Sequence, residues 1–191
     1  MTAPDDPQPR YDPPRDEVYI AFAEAMGAWS DLETQTVLLF GQLAGITDVN
    51  IAWAIFHSAG GGRAQRDMIL AVARLRLGEV TRASVEDVVQ KRLGKAAGKR
   101  NRMVHGIWNK TTCVEDDGAK TWELFREFSA PTEPLGFVPD NDRAVKELRE
   151  KGIRFYLDDL RAVREEYRRL RRDMMALQGE LLRALGPKIV G

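Results

Sequence analysis

The chain has 191 residues and 43% hydrophobic content, enough for one packed domain, and its 29 basic and 29 acidic side chains cancel to a formal net charge of zero. That balance excludes a partner chosen by global charge, so only local charge can point to one. The single cysteine, Cys113, excludes an internal disulfide and any cysteine-rich zinc site, which fits a reducing, cytoplasmic setting.

Residues 1–15 belong to an opening stretch, MTAPDDPQPRYDPPRDE, that holds five of the nine prolines, and they read as a disordered arm without the basic start or apolar core of a signal peptide. Residues 16–187 then read as one domain. Apolar residues at Phe22, Met26, Trp29, Val37, Phe40 and Leu43 fall at helical spacing, predicting a helix over Asp16–Leu43 that Gly45 ends. A second helix is expected from a cap at Asp48 to Ser58, before the break Gly60-Gly61-Gly62. A third fits Arg63–Leu77, with Met68, Ile69, Val72 and Leu75 inward and Gly78 past its end. A fourth is expected from Ser84, where Ser84-Val85-Glu86-Asp87 approximates a capping box, to His105, with Gly106 as the stop.

The periodicity then changes. Thr121 to Phe128 alternates and is rich in β-formers, and Ile107–Val114 can pair with it across Glu115-Asp116-Asp117-Gly118, so a hairpin is expected at about 107–128. Ala130–Asp142, with three prolines, reads as loop, and Arg143–Lys151 as a short helix stopped by Gly152. The last element, Leu157–Leu185, repeats Leu160, Val163, Tyr167, Leu170, Met174, Leu177 and Leu181 in a three-four alternation suited to antiparallel packing or a dimer. The expected fold is mainly α, an up-and-down helical bundle with an inserted β-hairpin. No apolar run approaches the ~20 residues of a membrane span.

Two charges stand on apolar stripes. Glu33 lies four residues from both Trp29 and Val37, and Arg100 follows Leu93 and Ala97 and precedes Val104. A buried lone charge is costly, so a Glu33–Arg100 pair is the simplest expectation. Around Arg100, the segment Val88–Val114 carries seven cations, Lys91, Arg92, Lys95, Lys99, Arg100, Arg102 and Lys110, and no acid. Such a patch suits a phosphate backbone, although cations near a helix C-terminus also complement its dipole. The chain has two histidines. His57, beside Phe56 on an apolar helix, reads as a core histidine, and His105 ends the basic segment. Five residues turn a helix by about 500°, so Arg100 and His105 sit ~140° apart unless the helix distorts or a second subunit brings its own copy.

The run Arg100-Asn101-Arg102-Met103-Val104-His105 reads R-N-x-x-x-H and resembles the R-x(4–6)-H motif of the HEPN superfamily, helical-bundle proteins that include many metal-independent ribonucleases. The resemblance covers about residues 16–108 and 157–185 by pattern and six residues by motif. It implies an endoribonuclease, toxin-like or defence-linked, that uses no metal or other cofactor. His105 would serve as base or acid toward the RNA 2′-hydroxyl and leaving oxygen. Arg100 would stabilise charge developing on the phosphate, Asn101 would orient the phosphate or the imidazole, and Glu33 would aim Arg100. Lys91, Arg92, Lys95, Lys99, Arg102 and Lys110 would bind single-stranded RNA, and two motif copies in a homodimer would share a cleft. The toxin-like members of the family pair with a neutralising protein; the tyrosine that a partner enzyme modifies in some of them is replaced here by Ile107. The alternative is a non-catalytic module that uses the basic segment 91–110 to bind RNA, a nucleotide or a protein.

Overall fold

A computed structural model describes the backbone of residues 13–104, 107–114, 120–127 and 154–186, and the side chains of residues 16–104 and 155–186. Of the expected arm at 1–15, residues 13–15 already belong to the first helix; the rest of the arm, His105, Gly106, the turn at 115–119, the loop at 130–142 and the helix at 143–151 lie outside the described residues. The protein is mainly α-helical, a helical bundle. Among the described residues no single helix is long and apolar enough to cross a membrane.

The helices are α1 (Pro13–Ala44), α2 (Val49–Ser58), α3 (Gly62–Arg76), α4 (Glu79–Glu86), α5 (Gly94–Val104) and α6 (Leu157–Leu185), with a π-helical stretch, Asp87–Leu93, joining α4 to α5. Three strands, β1 (Ile107–Val114), β2 (Lys120–Glu127) and β3 (Arg154–Tyr156), form an antiparallel sheet in that order. Ile107 pairs with Glu127 and Val114 with Lys120, while Leu124 of β2 pairs with Phe155 of β3. Threonine and valine at 111, 112, 114 and 121 favour extended backbone. The third strand was not expected from the sequence; three residues carry too little pattern to announce one.

The chain divides into two compact units. The first joins residues 1–24 to 106–161. In it Val18, Ala21, Phe155 and Leu160 are buried. The start of α6 is held by half of a capping box: the Tyr156 N–H donates to Asp159 Oδ2 at 3.1 Å. Arg161 lies 3.5 Å from both Glu17 and Asp158.

The second unit joins residues 25–105 to 162–191 and holds the larger core. All the apolar α6 positions expected from the three-four alternation are buried, with Tyr167, Met174 and Leu181 at zero exposure. On α1, Ala25, Leu32, Leu39 and Leu43 are fully buried, and Thr36 contacts Met174 of α6. Polar links fix the pairing of these helices. The Gln35 side chain donates to that of Gln178, and Gln42 Nε2 donates to the Gln178 carbonyl at 2.9 Å. Trp29 packs edge-on against Tyr167, ring centres 5.4 Å apart, and the Tyr167 hydroxyl donates to the Ala96 carbonyl at 3.4 Å.

Helix ends obey local chemistry. After α1, Gly45 adopts φ +74°, its N–H donates to the Gln42 carbonyl, and the Ile46 N–H reaches back to Gly41, a Schellman closure. Arg76 satisfies a further α1 carbonyl, donating from Nη1 to Leu43 at 2.8 Å. At α2 the expected cap is present: Asp48 Oδ1 accepts from the N–H groups of Asn50 at 2.8 Å and Ile51 at 3.4 Å. Gly41 lets α2 approach α1, since a Cβ there would stand 3.2 Å from that of Ala52.

Between residues 75 and 104 the expected helix start at Ser84 and some expected inward positions fail. Leu75 is 86% exposed, and the inward side of α3 is Ile69, Leu70 and Ala73. Gly78 lies past the end of α3, just after its Leu77 C-cap, and is also the N-cap of the next helix, which starts at Glu79 and not at Ser84. Ser84 therefore lies inside α4, where its hydroxyl donates to the Val80 carbonyl at 3.4 Å instead of capping. In α5 the buried positions are Ala96 and Met103, and Val104 is exposed. The π-helical stretch accounts for the change of phase, because its wider turn rotates α5 relative to a continuous α-helix.

Candidate functional site

Within the second unit, α1, α2, α3 and α5 surround a cavity of about 370 Å³. Its space comes from small side chains. Gly94, Ala97 and Gly98 line it from α5, where larger residues would close it. A Cβ on Gly94 would already stand 3.7 Å from Arg66 Nε. Trp29 and Glu33 line the α1 side, Phe56 and His57 the α2 side, and Gly62, Arg63, Gln65 and Arg66 the first turns of α3. Arg100 and Asn101 complete the lining from α5.

The structure thus brings Glu33, Arg100 and Asn101 to one cavity. Arg100 is half-buried, and its Nη1 donates to Asn101 Oδ1 at 3.3 Å. Its Nε is fully buried and has no hydrogen-bond partner among the described residues. No ion pair joins Arg100 to Glu33 among those residues, although both face the same space. A cavity-facing guanidinium keeps some access to water, so it does not require the carboxylate that a sealed core would. His105 lies outside the described residues, as does the Lys110 side chain on β1.

The basic segment is less free than its sequence suggests. Arg92 pairs with Asp173 of α6, Lys99 pairs with Glu166 of α6, and Lys91 stands 3.2 Å from Asp87. Lys95 and Arg102 are exposed. The acids that neutralise Arg92 and Lys99 lie some 70 to 80 residues away in sequence, in a helix that read as a packing seam.

The lining residues not expected from the sequence include His57, Arg63, Gln65 and Arg66. His57 is exposed, stacked on Trp53 with ring centres 4.6 Å apart, and is not a core histidine. Its helix is amphipathic, with Ala52 and Phe56 supplying the buried side. Arg63, Gln65 and Arg66 come after the glycine run, and the signal available for them was a glycine-rich break leading into a helix with two arginines in its first turns. Gly61 has φ +106° and provides no side-chain cap, so the first-turn amides of α3 are left without one.

Among the described residues no group of three or more histidine, cysteine, aspartate or glutamate side chains could hold a metal ion. The chain matches no family model, no curated protein and no solved structure.

Proposed function

We propose that the protein is a metal-independent RNA endonuclease of HEPN type, built on an up-and-down bundle with an inserted hairpin and acting as a homodimer in a toxin- or defence-like role. The observation that carries this reading is the convergence of Arg100 and Asn101, the first two residues of R-N-x-x-x-H, on a cavity rich in cationic side chains. In this mechanism His105 removes the proton from the RNA 2′-hydroxyl or protonates the leaving oxygen. Arg100 stabilises charge developing on the attacked phosphate, and Asn101 holds Arg100 or the phosphate in place. The products are a 2′,3′-cyclic phosphate and a 5′-hydroxyl end. Two copies of the motif facing one cleft supply both groups from favourable directions.

The test is cleavage of a single-stranded RNA in excess EDTA, with the matching DNA as control. RNA is cut and DNA is not, because DNA lacks the attacking hydroxyl. His105→Ala abolishes cleavage with the fold intact. Full cleavage by that variant refutes the mechanism. Light scattering gives twice the monomer mass; a monomer counts against the shared cleft.

A second reading, a non-catalytic binding module, is favoured by the pairing of Arg92 and Lys99 with α6 acids, which gives those cations a structural task. Salt-sensitive RNA binding without turnover in the wild type selects it.

A further inference from the structure

The cavity carries an unbalanced charge. Among the described residues, Arg63, Arg66 and Arg100 line it against one carboxylate, that of Glu33, an excess of two positive charges. Arg63 is almost wholly exposed and lies 4.0 Å from Asp67, so it is the most loosely held of the three. Arg66 is half-buried and makes no ion pair among the described residues. The first turn of α3 adds its uncapped amides and the positive end of a 15-residue helix. Two further donors are buried without a partner among the described residues: Nε of Arg100, and Nε1 of Trp29, a cavity-lining residue only 8% exposed. Buried donors left unsatisfied are costly, and both belong to side chains that line this space, so a small turn of either would present it to an acceptor there.

We infer that this cavity is an oxyanion site for a terminal phosphate, with Arg66 and the α3 amides on one side and Arg100 on the other. The charge selects the ligand class. A phosphomonoester carries about −1.5 to −2 at pH 7, which matches the excess of two. A phosphodiester or a carboxylate carries a single negative charge. Guanidinium groups suit phosphate because their planar forks bond two oxygens at once. The volume is at the small end for ligand cavities, enough for a phosphate with a modest attached group. The site stands whether or not the protein cuts RNA, since Arg66 and the α3 terminus have no part in that chemistry and an internal RNA phosphate is a diester. The monoester is either a small phosphate ester or the 5′-phosphate end of an RNA.

The experiment is calorimetric titration of the full chain with methyl phosphate and, separately, dimethyl phosphate. Methyl phosphate binds saturably and at least about tenfold more tightly than the diester. Arg66→Gln weakens methyl phosphate binding about tenfold or more. Gly62→Asp places a carboxylate at the α3 start, near Arg66, whose Nη1 lies 3.5 Å from where a Cβ on that glycine would be. It abolishes binding while keeping or raising the melting temperature, so loss of binding there is not loss of fold. His105→Ala binds methyl phosphate as the wild type does, which separates this site from the cleavage mechanism. In that variant a 5′-phosphorylated RNA tetramer is compared with its 5′-hydroxyl form. Preference for the phosphorylated RNA assigns the site to an RNA end, and equal weak binding of both assigns it to a small ester. Equal affinity for monoester and diester, no saturable binding of methyl phosphate, or wild-type binding by both Arg66→Gln and Gly62→Asp overturns the inference.

Discussion

One helix shows two treatments of the same charge type. On the side of α5 and the π-helical stretch that meets α6, Arg92 and Lys99 pair with Asp173 and Glu166, and Ala96 and Met103 are buried. On the side that lines the cavity, Arg100 makes no ion pair among the described residues and shares the lining with Gly94, Ala97 and Gly98 of the same helix. The paired side joins two helices, and its cations have acceptors already. The cavity side leaves donors open and space before them. A cation's place in the packing, more than its place in the sequence, separates structural charge from charge left for a ligand.

That contrast is most strongly tested on the packed side by Tyr167→Ala, which removes a fully buried ring and its bond to Ala96. It should destabilise the protein by about 3–5 kcal/mol in urea unfolding. A loss below about 1 kcal/mol would mean that α6 does not carry the core.

On the cavity side the expectation reverses. Arg100→Met should lower RNA cleavage by about 10²–10³-fold, yet shift stability by no more than about 1 kcal/mol, because Arg100 makes no ion pair among the described residues. Paired kinetic and thermal measurements check both halves. A large stability loss with little change in rate would move Arg100 to the structural side.

The packed side also has a pH signature. Burial, with the Glu166 charge adding to it, pushes the Tyr167 hydroxyl above its ordinary range, and Arg100 and Arg102 only partly oppose this. The folded state therefore favours the neutral phenol. Its contribution is complete below pH ~10 and declines as pH rises further, by at most about 1.4 kcal/mol per pH unit. In an alkaline titration followed by ultraviolet absorbance, one of the four tyrosines should ionise only with unfolding.

The smallest effect belongs to the ion pairs. Lys99→Met should cost about 0.5–1 kcal/mol, since Lys99 and Glu166 are 27% and 36% exposed. It should leave methyl phosphate binding unchanged. A binding loss would mean that the two sides are not separate.

The elements that proved legible carry their reasons within a few residues. The bounds of α6 and its seven buried positions come from one repeated spacing. Asp48 announces its helix by the short reach of its carboxylate to amides two and three residues on. Glu33 and Arg100 stood on apolar stripes, and both reach the cavity. The features that stayed hidden depend on residues distant in sequence or on an irregular turn. The partners of Arg92 and Lys99 are chosen by the packing of α6. The start of α4 at Glu79 gave no capping side chain to read, because Gly78 caps without one. Of the small residues that open the cavity, Ala97 stood on the apolar stripe with Leu93, while Gly94 and Gly98 carry no side chain that announces a cavity.

The π-helical stretch Asp87–Leu93 has a consequence for how easily this cavity survives a change of chain length. A π-turn is an α-turn with a residue to spare. Each residue of an α-helix advances the chain by about 100°, but the wider turn spreads one more residue over the same rotation, so deleting one between 87 and 93 would let the stretch relax to α geometry with α5 still on the same face. Arg100, Asn101 and the glycine face would stay on the cavity together. Related chains that lack one residue at this stretch should then keep the same lining and the same ligand binding, whereas a one-residue deletion within regular α5, ahead of Arg100, would carry Arg100 and Asn101 round by more than a quarter turn.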